Sequence, residues 1–193
     1  EIGSAIGYST LCFASNKNIE KITSIERDDE RYNIAYNNVL SSGLSNVELI
    51  HDDALNINIE GMYDLIIIDA AKSQNKRFLD KYKYNLNEKG VIIIDNLDFH
   101  GYVFNSSSIK SRNLRQMVRK IEKFITYLKT QDDYLSVFFS FIGIILPVLT
   151  LLDLLLDKNR QLHPTDKKTD WFYRNKKYDI QKDERPSCGL MVK

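Results

Sequence analysis

Two apolar runs in this chain each end abruptly in an acidic residue. The run at positions 65–68 is followed by Asp69, with Lys72 shortly after it, and a second run is followed by Asp95 and Asn96. Uninterrupted apolar runs of this length are typical of strands buried on both faces of a parallel sheet. Acids are rare at the end of such a strand unless they meet a cation or a ligand. Because ligands bind outside the carboxyl ends of strands in open α/β sheets, we expect Asp69, Asp95 and Asn96 to meet at one functional edge.

Predicted strands and helices alternate along most of the chain. The strands fall at positions 21–25, 47–50, 64–69 and 90–95, and the helices at positions 8–14, 28–40, 75–84 and 109–129. This alternation is the pattern of an α/β fold with a doubly wound, Rossmann-like sheet.

Composition is that of one ordinary globular domain. The chain has 193 residues, of which 43% are hydrophobic and 27% charged, enough to bury a full core. A net charge of +1 gives no overall attraction to nucleic acid or membrane, so any such preference must come from a local patch. Cys12 and Cys188 cannot form a disulfide framework, and we expect a reducing, cytoplasmic location.

The first nine residues contain a glycine turn that precedes a predicted helix. Gly3 and Gly7 let the backbone approach a ligand, and the helix start offers free N–H groups. Glu26 follows about twenty residues later at a strand end, where a carboxylate suits a ribose diol; alternatively, it caps the next helix. Asp53 could accept from an adenine amino group or could be a simple loop acid.

The helix predicted after the polar loop 105–108, which we expect to supply its N-cap, separates apolar and basic residues. At about 100° per residue, one face carries Leu114, Val118, Ile121, Ile125 and Leu128, and the opposite face carries Arg112, Arg115, Arg119 and Lys123. A charged outer face is most simply a solvated face. Three arginines in one ridge also suit phosphates, which makes this the local patch that could bind nucleic acid.

Positions 134–152 form a run of nineteen residues without a charge. Its length makes it a candidate membrane span, but Gly143, Pro147 and the β-branched and aromatic residues of its first half favour buried strands. From Asp157 onward the chain is polar and without periodicity, and we predict a poorly ordered tail. We therefore assign residues 1–152 to the domain and residues 153–193 to the tail.

Taken together, these motifs resemble the catechol O-methyltransferase-like family of S-adenosylmethionine- and Mg²⁺-dependent O-methyltransferases, from Glu1 to about Tyr134. The resemblance implies the class I methyltransferase fold and a catalytic lysine at Lys72. It also implies metal ligation by Asp69, Asp95 and Asn96. It implies cofactor binding by residues of the first turn and of the strand ends, namely Glu1, Gly3, Ser9, Glu26, Asp53, Ala54 and Asp69.

Within that family, the motifs DAAKSQ and IIIDNLDFHG and the basic helix are most similar to bacterial tRNA 5-hydroxyuridine methyltransferases. This resemblance implies methylation of the wobble uridine to 5-methoxyuridine, with tRNA bound by Arg112, Arg115 and Arg119. A 5-hydroxyuracil presents its hydroxyl beside a carbonyl, as a catechol pairs two oxygens, and could chelate Mg²⁺. A small catechol or phenol is the alternative substrate.

The chain also departs from this family. Members of this family have a strand and helices that cover the cofactor and help build a dimer. We expect these elements to be missing before Glu1, so that the cofactor pocket is open on one side. Whether a homodimer forms is left undecided by the sequence. The C-terminal part diverges, and one hypothesis is a changed reading frame, which sequencing the codons for residues 139–147 tests. An inactive cofactor-binding fragment and a membrane-anchored protein remain as alternatives.

Overall fold

In the computed structural model, residues 1–99, 101–104, 107, 109–132, 134–139 and 188–192 are described. The strands are β1 (Ile22–Glu26), β2 (Val47–His51), β3 (Tyr63–Ile68), β4 (Leu86–Asp95), β5 (Leu135–Phe139) and β6 (Cys188–Val192). The helices are α1 (Tyr8–Ala14), α2 (Asp29–Ser42), α3 (Asn75–Tyr82) and α4 (Arg112–Lys129), with 3₁₀ turns at Lys72–Gln74, Lys83–Asn85 and Tyr102–Phe104. The predicted α/β alternation is confirmed over these residues.

A short extended segment at the start of the chain joins two groups of strands. β1 and β2 pair in parallel, and β3 and β4 pair in parallel. Ile2 lies between β1 and β3 and pairs in parallel with Ile25 on one side and Ile68 on the other. The strands therefore run in the order β2, β1, Ile2 segment, β3, β4, β6, β5.

The core lies on both faces of the central strands. Residues 66–68 of β3 and residues 91–94 of β4 are buried, as expected for strands covered by helices on both sides. Val118, Ile121 and Leu128 of the predicted apolar face of α4 are buried, together with Phe124. The amphipathic pattern therefore predicted the packed face of this helix.

The start of α4 differs from the prediction. The helix begins at Arg112, and its N-cap is Ser111, whose side chain accepts from the backbone N–H of Leu114. The polar loop at 105–108 was expected to supply the cap. Ser111 provides it instead because its hydroxyl lies three residues before a free helical N–H.

The prediction of a poorly ordered tail is wrong for residues 188–192. These residues form β6, which lies between β4 and β5 and is antiparallel to both. Cys188, Gly189 and the short apolar run at 190–192 have only a weak preference for a strand. Pairing with both β4 and β5 stabilises the strand despite that weak preference. Of the strands expected at 134–152, β5 is observed. The rest of that run and the predicted tail before residue 188, positions 140–187, lie outside the described residues. None of the described helices combines the length and apolar composition needed to cross a membrane.

Leu190→Pro tests whether β6 completes the sheet. Leu190 pairs with Ile93 and with Val137, so proline there removes a backbone donor from an interior strand. We expect a loss of roughly 3 kcal/mol in the free energy of unfolding, measured by urea denaturation. Leu190→Val, which keeps the donor, is the control. Equal midpoints for the proline variant and the wild-type chain would contradict the assignment of β6.

Candidate active site at the carboxyl edge of the sheet

Asp69 and Asp95 lie side by side at the carboxyl edge of the sheet. Ile68 pairs with Ile94 in the parallel register of β3 and β4, so the next residue of each strand is one of the two acids. Lys72 donates from Nζ to Oδ1 of Asp69 and lies 4.0 Å from Oδ2 of Asp95. The structure thus brings Asp69 and Asp95 together at the edge that the strand ends predicted, and it places the ammonium of Lys72 between them.

Among the described residues at this edge, two carboxylates share a single ammonium group, that of Lys72. Burial, and then the neighbouring carboxylate of Asp69, raise the pKa of Asp95 to about 6, although the ammonium of Lys72 acts in the opposite direction. The Lys72 side chain is only 12% exposed. A partly buried pair of acids with a single ammonium is an arrangement that favours a further cation.

Asn96 follows Asp95 directly and adopts a left-handed backbone conformation, with φ of 55°. Asparagine tolerates this conformation better than most residues. Two carboxylates and an amide oxygen are hard donors, which suit Mg²⁺. Within the described residues, no cluster contains three or more His, Cys, Asp or Glu side chains, so a metal bound here depends on Asn96 as well as on the two acids.

The glycine turn beside this edge requires a residue without a side chain. Gly3 has φ of +98°, and a Cβ there would lie 2.6 Å from the carbonyl oxygen of Asp69. The buried hydroxyl of Ser4, in the same turn, has no hydrogen-bond partner in the described part of the chain. A close backbone approach and an unpartnered buried hydroxyl are features expected of a turn that contacts a ligand.

Glu1 binds three hydroxyl groups next to this turn. Its carboxylate accepts from the hydroxyls of Ser9, Thr10 and Ser24, with the Ser24 bond at 2.6 Å. The predicted cofactor residues Glu1 and Ser9 therefore contact each other. Sequence reasoning missed Thr10 and Ser24, although a fully buried serine inside the strand sequence ITSIE is a signal for such a network.

Glu26 binds the backbone of two loops. Its Oε2 accepts from the N–H of Ala5 at 2.8 Å, and its Oε1 accepts from the N–H groups of Arg27 and Asp28, each at 2.9 Å. A carboxylate offers about four acceptor sites, so one site on Oε2 is left for a ligand hydroxyl. The alternative role as a helix cap belongs to Asp28, whose side chain accepts from the N–H of Arg31.

Asp53 and Ala54 lie in the turn after β2. Oδ1 of Asp53 accepts from the N–H of Leu55 at 2.9 Å, and Oδ2 lies 3.5 Å from the guanidinium of Arg27. Ala54 is buried. Since Arg27 follows Glu26, this contact places the Asp53 turn next to the loop that Glu26 holds.

The helix α4, which carries the basic ridge, lies beside the same edge. Arg112, Arg115 and Arg119 are exposed, and none forms an ion pair with a described residue. α4 itself packs against the turn Lys72–Gln74 and against the turn Tyr102–Phe104. The helix that carries the ridge is therefore a direct neighbour of the segment that carries Lys72.

The profile of the O-methyltransferase family matches residues 1–137. The chain belongs to the O-methyltransferase family. Its mixed sheet, parallel from β2 to β4 and flanked by helices, has the fold of the class I S-adenosylmethionine-dependent methyltransferases. The O-methyltransferase fold predicted from the motifs is thus confirmed.

Three known proteins illustrate the similarity. A protein-L-isoaspartate O-methyltransferase from Methanococcus vannielii is 27% identical over 63% of this chain and 57% of its own length. A putative caffeoyl-CoA O-methyltransferase from Staphylococcus aureus matches with a TM-score of 0.70 and 28% identity, over 100% of this chain and 73% of that one. An O-methyltransferase from Bacillus cereus, in complex with SAH, has a TM-score of 0.66 at 19% identity, over 99% and 71% of the chains, and shares the fold.

Gly3→Ala separates close packing from backbone strain at this turn. Gly61 has almost the same φ, +99°, but no described atom lies within 4 Å of the position that a Cβ would take there. We expect Gly61→Ala to cost about 1 kcal/mol from φ alone. Gly3→Ala should cost about 2 kcal/mol more because its Cβ meets the Asp69 carbonyl. Urea unfolding measures both, and equal losses would mean that the close approach is unimportant.

Proposed function

We propose that the chain is an S-adenosylmethionine- and Mg²⁺-dependent O-methyltransferase that methylates the 5-hydroxyl of 5-hydroxyuridine at the wobble position of tRNA. The observation that carries the proposal is the meeting of Asp69, Lys72 and Asp95 at the sheet edge, next to the turn in which Gly3 approaches Asp69. This edge combines an acidic cation site with a ligand-binding turn, which suits metal-assisted methyl transfer to an oxygen.

The cofactor is assigned to the turn between Gly3 and Ser9 and to the neighbouring strand ends. The hydroxyl of Ser4 has no hydrogen-bond partner among the described residues, and Glu26 keeps one acceptor site. The carboxylate of Asp53 is partly exposed, and its Oδ2 lies 3.5 Å from the guanidinium of Arg27, which a ligand donor would join or replace. Glu26 would accept from a ribose hydroxyl and Asp53 from the adenine amino group. S-adenosylmethionine supplies an electrophilic methyl group on its sulfonium.

Mg²⁺ is assigned to Asp69, Asp95 and Asn96. The pKa of Asp95, raised to about 6 by burial and by Asp69, indicates that this edge accommodates added positive charge. Bound Mg²⁺ would lower the pKa of a substrate hydroxyl next to it.

Lys72 is the proposed base. In this structure its ammonium occupies the space between Asp69 and Asp95. Asp69 and Asp95 would hold a cation with the same oxygens that now contact the Lys72 ammonium, so the side chain would be released toward the substrate. To act as a base, the Lys72 ammonium must first give one proton to solvent. The neutral amine would then take the hydroxyl proton at Nζ and hold the oxygen in line with the methyl group, so that positioning supplies much of the rate.

The basic ridge of α4 favours tRNA as the substrate. Its three arginines are exposed and unpaired among the described residues, and the helix packs beside the turn of Lys72. On this proposal, phosphates on either side of the bound nucleotide contact the ridge. A small phenol is the second candidate, because the similar Staphylococcus aureus protein is described as a putative caffeoyl-CoA O-methyltransferase.

Calorimetric titration of the chain with S-adenosylmethionine, with and without Mg²⁺, tests cofactor and metal together. We expect S-adenosylmethionine to bind in both conditions. We also expect Mg²⁺ to bind, with an affinity that Asp95→Asn lowers at least about tenfold while the affinity for the cofactor is retained. Asp64→Asn, on the exposed start of β3, is the matched control. A folded chain that binds no cofactor would refute the proposed function.

Replacing the ridge arginines distinguishes the two substrate classes. We expect Arg112→Gln/Arg115→Gln/Arg119→Gln to lower the rate of methyl transfer to tRNA containing 5-hydroxyuridine by at least about tenfold, and to leave the rate on a small catechol unchanged. Lys17→Gln/Lys83→Gln/Lys89→Gln, outside α4, removes the same charge as a control. Equal tRNA rates in the two triple variants would reject the ridge as a tRNA-binding surface.

A further inference from the structure

The loop that joins β2 to β3 is held by side chains from α3. The hydroxyl of Tyr82 donates to the carbonyl oxygen of Ala54 at 2.6 Å, and Nζ of Lys81 donates to the carbonyl oxygen of Leu55 at 2.9 Å. The side-chain amide of Asn85 donates to the carbonyl oxygens of Ile59, at 2.9 Å, and Gly61, at 3.0 Å. One short helix and the turn after it therefore bind carbonyls along most of this loop.

These bonds matter because the loop has no strand or helix of its own between Asp52 and Met62. A segment without regular structure depends on side-chain donors to satisfy its buried carbonyls and to keep one shape. The bond from Tyr82 is buried, and the tyrosine itself is 5% exposed. Water cannot easily replace a donor at that position.

We propose that Tyr82 is a positioning residue, whose hydroxyl holds the Asp53–Ala54 turn in the shape that receives the adenine of the cofactor. This inference rests on the proposed function, since it concerns the same cofactor. Tyr82 does not touch the reacting atoms. It acts through the Ala54–Leu55 peptide, whose carbonyl it binds and whose N–H donates to Oδ1 of Asp53.

The contacts around the turn show how the hydroxyl acts on Asp53. The Ala54 side chain is buried and its carbonyl is bound by Tyr82, so this residue is fixed from two sides. The carbonyl of Asp53 accepts from the N–H of Asn56 at 2.8 Å, and its Oδ1 accepts from the N–H of Leu55 at 2.9 Å. With these groups held, and with Oδ2 lying 3.5 Å from the guanidinium of Arg27, the carboxylate of Asp53 keeps a defined orientation.

The hydroxyl of Tyr82 stays protonated under ordinary conditions. Burial, and then the negative charge of Asp53, raise its pKa to about 12. The oxygen therefore remains a hydrogen-bond donor at neutral pH. Its ring also packs in the main hydrophobic core, so a substitution that removes the ring would disturb the fold as well as the hydrogen bond.

Tyr82→Phe removes the hydroxyl and keeps the ring. We would measure by calorimetry the affinities for S-adenosylhomocysteine and for S-inosylhomocysteine, in which an oxygen replaces the adenine amino group. We expect the variant to bind the adenosyl compound about three- to tenfold more weakly than the wild-type chain does. The variant should bind the inosyl compound as tightly as the wild-type chain does. Tyr84→Phe, at an exposed tyrosine two positions away, should leave both affinities unchanged.

The outcomes are distinguishable. Equal weakening of both compounds would mean that Tyr82 supports only the fold, and unchanged affinities would mean that the bond is unimportant; either result overturns the inference while the proposed function stands. A wild-type chain that binds neither compound would refute the proposed function and this inference with it. Should Tyr82→Phe fail to fold, Lys81→Met, which removes the partly buried donor to Leu55, carries the same expected and contrary results.

Discussion

The backbone pairing of the first three residues with both β1 and β3 is the constraint on which the rest of the structure depends. The N–H of Ile2 donates to Ile67 and its carbonyl accepts from Asp69, while Gly3 donates to Ile25. β1 with β2, and β3 with β4, are separate pairs without this segment. Because all these strands are parallel, the segment brings their carboxyl ends, and therefore Glu26 and Asp69, to one edge.

That edge concentrates negative charge in a partly buried place. Asp69 and Asp95 follow paired residues of neighbouring strands, so the sheet register forces their carboxylates together. Burial, and then the carboxylate of Asp69, raise the pKa of Asp95, and the ammonium of Lys72 offsets only part of this effect. Such a site is costly for a fold to maintain, and this cost is typical of residues kept for binding or catalysis.

Much of the site could be predicted because strand ends can be recognised in a sequence. A buried parallel strand is an apolar run, and a polar residue that ends the run must lie at the sheet edge. This argument found Asp69, Asp95 and Glu26 without coordinates. It could not find Ser24 or Tyr82, since their importance lies in hydrogen bonds to residues more than twenty positions away. Nor did it find β6, because a short strand gains its stability from two neighbours and not from its own composition.

The sequence by itself determined the α/β alternation, the apolar face of α4 and the acids that end the strands, because these follow from periodicity and local burial. The tertiary structure alone decided how each group is used. It directed Glu1 to three hydroxyls, engaged Glu26 with three backbone N–H groups, and joined Lys72 to two acids. The physical reason is that hydrogen bonds and ion pairs depend on distances of a few ångströms between residues far apart in the chain, and only the assembled sheet sets those distances.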